Sequence, residues 1–385
     1  METASKFRAK RIQNARVQAF RHPLLSFNGG VVFDDPNDKE NIFLRHTRYW
    51  KPVDRTDYTL DFSNFVAGSY IYGGPIYNHF GHFMSEMIHR ITLARILNPG
   101  QKIVFVAPPT TLSKIPDPPK YIEAILNFIG VNRSDYIVVN VDSTIEELFV
   151  IESGSDLGGG PKPYYADFLR DNYRIKDLDG FKYKYGGKKL FVSRSRLNHG
   201  GGFLGEAYVE EWLGSAGFEA FFPENISFDE QVAAYSLSNE VVFSEGSACH
   251  GTELLGTSAM GKCSLLGRRR SHSDVFCRVL KPRSECFVYK HCGIEIGTIV
   301  HRIGSGAPLN EFAVSLYDPI YLSEIINSIG VDPRHKFDTS KYTDYVRRDF
   351  QKYVDHHKSK PSPLYYSDNE EYITQKMGDC IDSIS

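Results

Sequence analysis

Two groups of residues in this 385-residue chain have types and spacings suited to chemistry. The first lies in Asn78-His79-Phe80-Gly81-His82-Phe83-Met84-Ser85-Glu86-Met87-Ile88-His89, where His79, His82, Glu86 and His89 recur at intervals of three, four and three. On an α-helix that spacing puts all four on one face and leaves Phe80, Met84, Met87 and Ile91 to pack the other sides. A solvated face would carry Lys and Glu. A histidine with a carboxylate one turn further on suits general-base work, because the carboxylate fixes the tautomer and raises the basicity of the ring. A buried structural His–Glu pair and a metal site are the alternatives. The zinc-protease pattern requires His-Glu-x-x-His, whereas the order here is His-x-x-His-x-x-x-Glu.

The second group lies in Val241–Leu255, VVFSEGSACHGTELL. An apolar run ends at Ser244 in the manner of a buried parallel strand, breaks at Glu245-Gly246-Ser247-Ala248, and passes into a predicted helix with His250 in its first turn. Small residues there admit a ligand close to the backbone, and the N–H groups of a helix start favour an anion such as a diphosphate. Upstream, Lys188–Ser195 reads as a strand that delivers Arg194 and then Arg196 to the same edge. A planar guanidinium bonds two phosphate oxygens at once. The bland alternatives are a βα turn that merely happens to be small and arginines engaged in ordinary salt bridges.

The elements that must position these residues follow from periodicity. In the first half the pattern predicts a strand over Ser69–Tyr72, a break at Gly73-Gly74-Pro75, one long helix over Asn78–Leu97, strands at Lys102–Ala107 and Tyr136–Val141, and a helix at Tyr121–Ile129. After a Gly- and Pro-rich connection at Gly154–Pro163 and Asp177–Gly187, a β-α-β-α-β-α series begins at Lys188, with helices near Gly205–Ala216 and Ser227–Leu237 and a strand at Phe218–Phe222. Strands at Cys286–Tyr289 and Thr298–His301 and a helix at Tyr321–Ile329 complete the second sheet. The expected architecture is α/β, with an N-terminal domain over 1–180, a nucleotide-type Rossmann-like domain over 181–340, and a helical tail over 341–385.

Composition narrows the class. With 41% hydrophobic and 13% aromatic residues the chain has the makings of folded cores, and a formal net charge of -2 gives no reason to expect nucleic acid as a partner. No window approaches the roughly 18 apolar residues of a membrane span, and no apolar signal-peptide core opens the chain. Six cysteines without a Cys-x-x-Cys pair suggest neither zinc nor a disulfide framework, and a cytoplasmic location is expected. Basic residues cluster at Lys6–Arg21 and at Arg347–Lys360; either a solvated face or peripheral contact with the inner, anionic surface of a membrane accounts for them.

The motifs Asn78-His79-Phe80-Gly81-His82-Phe83-x-x-Glu86, Phe191-Val192-Ser193-Arg194, Pro223-Glu224-x-x-Ser227-Phe228-x-x-Gln231 and Glu245-Gly246-Ser247-Ala248-x-His250 occur in one order. Together they resemble the motifs of glycosyltransferase family 61, the DUF563 proteins, over roughly Gly73 to Leu255. The resemblance implies a GT-B-like fold of two Rossmann-like domains facing a central cleft, and inverting, metal-independent transfer of a sugar from a nucleotide donor, typically a UDP-sugar, to a glycan. It points to bacterial surface or capsular polysaccharide synthesis. The chain departs from the family pattern at Gly251, where many relatives carry Asn, and in the glycine-rich Asn198-His199-Gly200-Gly201-Gly202.

On this reading His82 is the first candidate base, His79 the second, and Glu86 the orienting partner. Arg194, Arg196, Gly246, Ser247, Ala248 and His250 hold the donor diphosphate, and Glu224, Ser227 and Gln231 are further candidates for nucleoside contacts. No cofactor or metal is expected. A nucleotide-sugar epimerase of the same architecture and a non-catalytic sugar-binding module are the rival functions.

Overall fold

Apolar β-branched runs alternating with helical stretches produce a mixed α/β chain. The computed structural model describes residues 7–21, 27–33, 41–57, 59–107, 119–173, 178–197, 200–271, 273–359 and 365–384. Two compact units are present: Met1–Lys176 with Ser227–Val232 and His250–Thr257, and Asp177–Ile226 with Ala233–Cys249 and Ser258–Ser385.

The first unit is built on a seven-stranded mixed sheet in the order Asp54–Arg55, Phe27–Val31, Ala9–Arg21, Ser143–Ile151, Asn64–Pro75, Lys102–Val106, Tyr136–Val139. The last four run parallel, and Ala9–Arg21 lies antiparallel to Ser143–Ile151 with Ala9 opposite Ile151. Gly73-Gly74-Pro75 is not the expected break. The strand continues to Pro75 through a register shift between Tyr72 and Gly74, where Gly74 takes φ +82°. A bulge absorbs residues that would otherwise end pairing. Gly73 is required on packing grounds, since a Cβ there would stand 2.7 Å from the Phe105 ring.

The single helix expected over Asn78–Leu97 is also corrected. Phe80–His82 forms one α-turn, Phe83–Met87 is π-helical, and Ile88–Leu97 resumes the α-helix. His79 lies outside the helix as its N-cap, with extended backbone. A π turn holds an extra residue, so side chains beyond it rotate away from the line set before it, and His89 leaves the His82–Glu86 line.

The second unit carries a five-stranded, all-parallel sheet ordered Phe218–Phe221, Lys189–Val192, Glu240–Ser244, Met260–Gly267, Ser284–His291. In chain order this is 2-1-3-4-5, a doubly wound arrangement whose order reverses between Lys189–Val192 and Glu240–Ser244. The predicted helix after Gly246 is instead a six-residue 3-10 turn, Ser247–Thr252, with His250 towards its end. Gly251 and Thr252 are poor helix formers, which favours the short form. The strand expected at Thr298–His301 does not join this sheet: Val300–Arg302 pairs with Tyr365–Ser367.

Helices Thr339–Ser359 and Glu370–Ile384 belong to the second unit, where Tyr342, Val346, Phe350 and Ile381 pack in one cluster with Phe191, Phe203 and Trp212. The basic stretch near the N-terminus is a strand, and its Arg8, Arg11 and Arg21 pair with Glu152, Glu147 and Asp142. Lys6 and Lys360 lie outside the described residues. Among the described residues no disulfide joins any of the cysteines, and no helix is long and apolar enough to cross a membrane.

Candidate active site

In the first unit the chemistry gathers around Glu86, whose side chain is wholly buried in the π-helical segment. His82 Nδ1 lies 2.6 Å from Glu86 Oε2, Arg48 Nη2 donates to the same oxygen at 3.2 Å, and Arg48 Nε donates to Oε1. His46 Nε2 lies 3.3 Å from Oε1. Burial would raise the Glu86 carboxyl, but hydrogen bonds from His46, His82 and Arg48 outweigh it and hold the group well below the usual carboxylate range. An ionised Glu86 accepts the Nδ1–H of His82, so the lone pair of that ring is on Nε2. The His82 side chain keeps 23% of its surface exposed, enough for a ligand to reach it.

His79 stacks against this pair, its ring centroid 4.3 Å from that of His82, and its Nδ1 accepts the His82 backbone N–H at 3.3 Å. Although its own surface is largely exposed, desolvation by the surrounding protein, reinforced by the charges of His82 and His250, pushes its pKa down to about 4. His79 is therefore neutral at physiological pH and a weak base.

His89 serves a second, fully buried network. Its Nδ1 lies 2.9 Å from the Tyr165 hydroxyl, which in turn lies 2.7 Å from Thr92 Oγ1. On the other side His89 Nε2 is 3.4 Å from Glu253 Oε2, and Glu253 Oε1 is 3.0 Å from His250 Nδ1. His250, grouped with the Gly246 turn on sequence grounds, thus belongs to the unit that holds His79, His82 and His89.

In the second unit the carboxyl edge of the parallel sheet gathers arginines at the point where strand order reverses, the position at which such sheets hold ligands. Arg194 follows Lys189–Val192; its N–H donates to Glu206 at 3.1 Å and its Nη2 to the Gly201 carbonyl at 3.2 Å. Gly246, after Glu240–Ser244, lies so close that a Cβ there would stand 2.4 Å from Arg194 Nη1. Arg268 and Arg269 follow Met260–Gly267, held by Glu245, whose Oε2 accepts both backbone N–H groups at 2.7 and 3.1 Å while Oε1 accepts Arg269 Nε at 2.9 Å. Burial, with Arg269 next in effect, pushes Arg268 down to about 9, and burial also lowers Arg194. The Nε atoms of Arg194 and Arg268 are buried without a protein partner.

The other predicted residues fall in varied settings. The Arg196 guanidinium stacks 3.6 Å from the Phe222 ring centroid. Ser247 and Ala248 are half-buried, and Glu224 is exposed on the 3-10 turn Pro223–Asn225. Ser227 accepts the Glu230 N–H at 3.3 Å as an N-cap, and its carbonyl accepts the Gln231 N–H at 3.0 Å. Asn198 and His199 lie outside the described residues. Sequence reasoning missed His46, Arg48, Glu206, Arg268 and Arg269. Only the last pair had a usable signal, an arginine run directly after an apolar strand. Among the described residues no group of three His, Cys, Asp or Glu side chains has an arrangement that holds a metal ion.

Residues 80–255 match the family model described as Glycosyltransferase 61. No curated protein matches the sequence.

Glu206 makes the second unit sensitive to pH. Burial raises its carboxyl to about 7, against the opposing effects of Ser244 and Arg194. The folded state then keeps a proton that the unfolded chain gives up between about pH 4.5 and 7, so this contribution is fully present below pH 4.5 and is lost as pH rises through 7; the whole span is worth about 3 kcal/mol. Glu206→Gln, neutral at every pH, should remove most of that decline. Denaturant titrations of both proteins at about pH 5 and about pH 8 test it, and equal declines would refute it.

Proposed function

Residues 80–255 are a glycosyltransferase family 61 domain, the chain is accordingly a glycosyltransferase, and we propose that it moves a sugar from a nucleotide donor, a UDP-sugar, to a glycan with inversion and without a metal. The observation that carries the mechanism is the orientation of His82 by the buried, ionised Glu86. His82 Nε2 takes the proton of an acceptor hydroxyl as its oxygen attacks the anomeric carbon from the face opposite the leaving group. The bond to the nucleoside diphosphate breaks, and the electron pair departs on the diphosphate. Inversion follows from this single displacement.

The leaving group needs positive charge where its negative charge develops. In the proposed mechanism Arg194 supplies it, with Arg268 and Arg269 on the same sheet edge and the backbone at Gly246 allowing close approach. Guanidinium donors do the work a divalent cation does elsewhere. The doubly wound sheet of the second unit supports a GT-B-like architecture as part of this reading. The biological setting we propose is surface or capsular polysaccharide synthesis at the cytoplasmic side of the membrane, in line with the family resemblance.

Three measurements test the proposal. His82→Ala should lower kcat per folded molecule by roughly 10²–10⁴-fold with little change in UDP affinity, and it should also lower the melting temperature because the buried Glu86 loses a partner; near-normal kcat per folded molecule would transfer the role to His79. Arg194→Ala should weaken UDP binding by roughly 1.5–3 kcal/mol in calorimetry, and unchanged affinity would remove it from the clamp. Transfer should persist in excess EDTA; loss on chelation with recovery on adding Mn²⁺ would overturn metal independence.

A further inference from the structure

The hairpin that supplies Arg48 to Glu86 has a feature the catalytic reading does not use. Strands Thr47–Arg48 and Lys51–Pro52 are joined by the two-residue turn Tyr49-Trp50, and both residues have left-handed backbone, φ 51° and 59°. Such a turn ordinarily takes Asn-Gly, because a side chain on left-handed backbone is strained. Here two of the bulkiest side chains occupy it, 55% and 41% exposed. Folding gains little from them there, and strain of this kind is retained where it serves a site.

The turn is rigidly held. Tyr49 N–H donates to the Leu157 carbonyl at 2.9 Å, and Trp50 N–H donates to Asp156 Oδ2 at 2.7 Å, while Asp156 Oδ1 accepts the Gly159 N–H at 2.9 Å. The rings rest on glycine backbone: a Cβ at Gly158 would stand 2.4 Å from the Tyr49 ring, and one at Gly159 would stand 2.4 Å from Trp50 Nε1. Beside the turn is a cavity of about 270 Å³ whose walls include Arg8, Phe43, Arg45, Trp50, Glu152 and Lys162. That is near the lower end for ligand sites and has room for one sugar ring. Lys162 Nζ lies 5.1 Å from the indole centroid and Arg8 stands 4.5 Å over Phe43. Three cations line the cavity against one carboxylate, Glu152, which bonds Arg8 at 3.0 Å and Lys162 at 2.6 Å; Arg45 is paired with Asp54 at 2.7 Å.

We propose that the Tyr49-Trp50 turn and this cavity are an acceptor subsite, in which a sugar ring of the glycan stacks on the Trp50 indole and an anionic substituent of the glycan, carboxylate, sulfate or phosphate, meets Arg8 and Lys162. The inference rests on the transferase reading for the word acceptor. The apolar face of a pyranose suits an indole, and a rigid aromatic loses little conformational entropy on binding. Arg48 stands two residues from Trp50, at most about 7 Å along the chain, and bonds the same Glu86 that orients His82. The glycan is therefore held by the hairpin that also fixes the base.

The test uses the full chain and Trp50→Gly, which deletes the indole while relieving the left-handed strain. On an array of neutral, uronic-acid, sulfated and phosphorylated oligosaccharides, the wild type should retain acidic glycans, and the class retained identifies the anion. Trp50→Gly should lower affinity for the best of them at least tenfold, with melting temperature unchanged or raised. Arg8→Ala should lower it for acidic glycans only. Because Trp50 and the buried Trp212 are the two tryptophans, the same glycan should also change indole fluorescence in wild type and not in Trp50→Gly. Retention of no glycan, equal retention by Trp50→Gly, or a preference for neutral glycans would each overturn the proposal. In transfer assays Trp50→Gly should raise the acceptor KM and leave UDP affinity unchanged. Binding lost in Trp50→Gly without transfer by either protein would leave the subsite standing and defeat the transferase mechanism. Transfer with an unchanged acceptor KM would do the reverse.

Discussion

A single buried carboxylate organises the first unit. Glu86 has no side-chain exposure, yet its charge is maintained by donors from two places in the chain, His82 one turn away and His46 and Arg48 some 40 and 38 residues earlier. Burying a charge is tolerable only when it is paired, and removing one partner of such a cluster typically costs about 3–5 kcal/mol. The same contacts therefore stabilise the fold, tie the hairpin at Thr47–Pro52 to the π-helical segment, and set the tautomer of His82. The architecture and the orientation of the proposed base depend on one group. The π turn belongs to the same device, since it places Glu86 where donors from the hairpin reach it.

The second unit faces the opposite electrostatic problem. Arg194, Arg268 and Arg269 crowd one sheet edge, and burial together with mutual repulsion lowers Arg268 to about 9. Glu245 compensates Arg269 in full view of two backbone N–H groups, whereas Glu206, raised to about 7, offers Arg194 only a partial counter-charge. Positive charge concentrated in this way is relieved by a bound anion more than by any side chain in its surroundings.

Much of this was legible in the sequence, but unevenly. The second sheet could be read from its apolar runs because parallel strands buried on both faces leave that signature, and Arg194 and Gly246 follow from the strand ends. The His82–Glu86 pair was visible as i,i+4 spacing. The π turn was not, because hydrophobic periodicity does not distinguish an extra residue in one turn from an ordinary helix. His46 and Arg48 were invisible for another reason: they reach Glu86 by tertiary folding, and nothing local to residues 46–48 marks them. The helix after Gly246 failed because strand-turn-small-residue patterns do not fix how many residues continue as helix. The strand Ala9–Arg21 was unreadable because most of its first half is exposed and carries no alternation.

The discontinuity of the first unit has a consequence for how the protein is made. Its sheet is complete only when Ala9–Arg21 meets Ser143–Ile151, and its buried His89 gains Glu253 from a segment that follows three strands of the other unit's sheet. Contacts so distant along the chain form slowly, since a long loop must close before any of them is rewarded. During synthesis the ribosome therefore releases more than half of the polypeptide before the first unit has all of its parts. A chain halted at Lys176 would contain His82, Glu86 and Arg48 and still leave His89 facing no carboxylate, so the earliest-translated half of the enzyme depends on the later half for its own core.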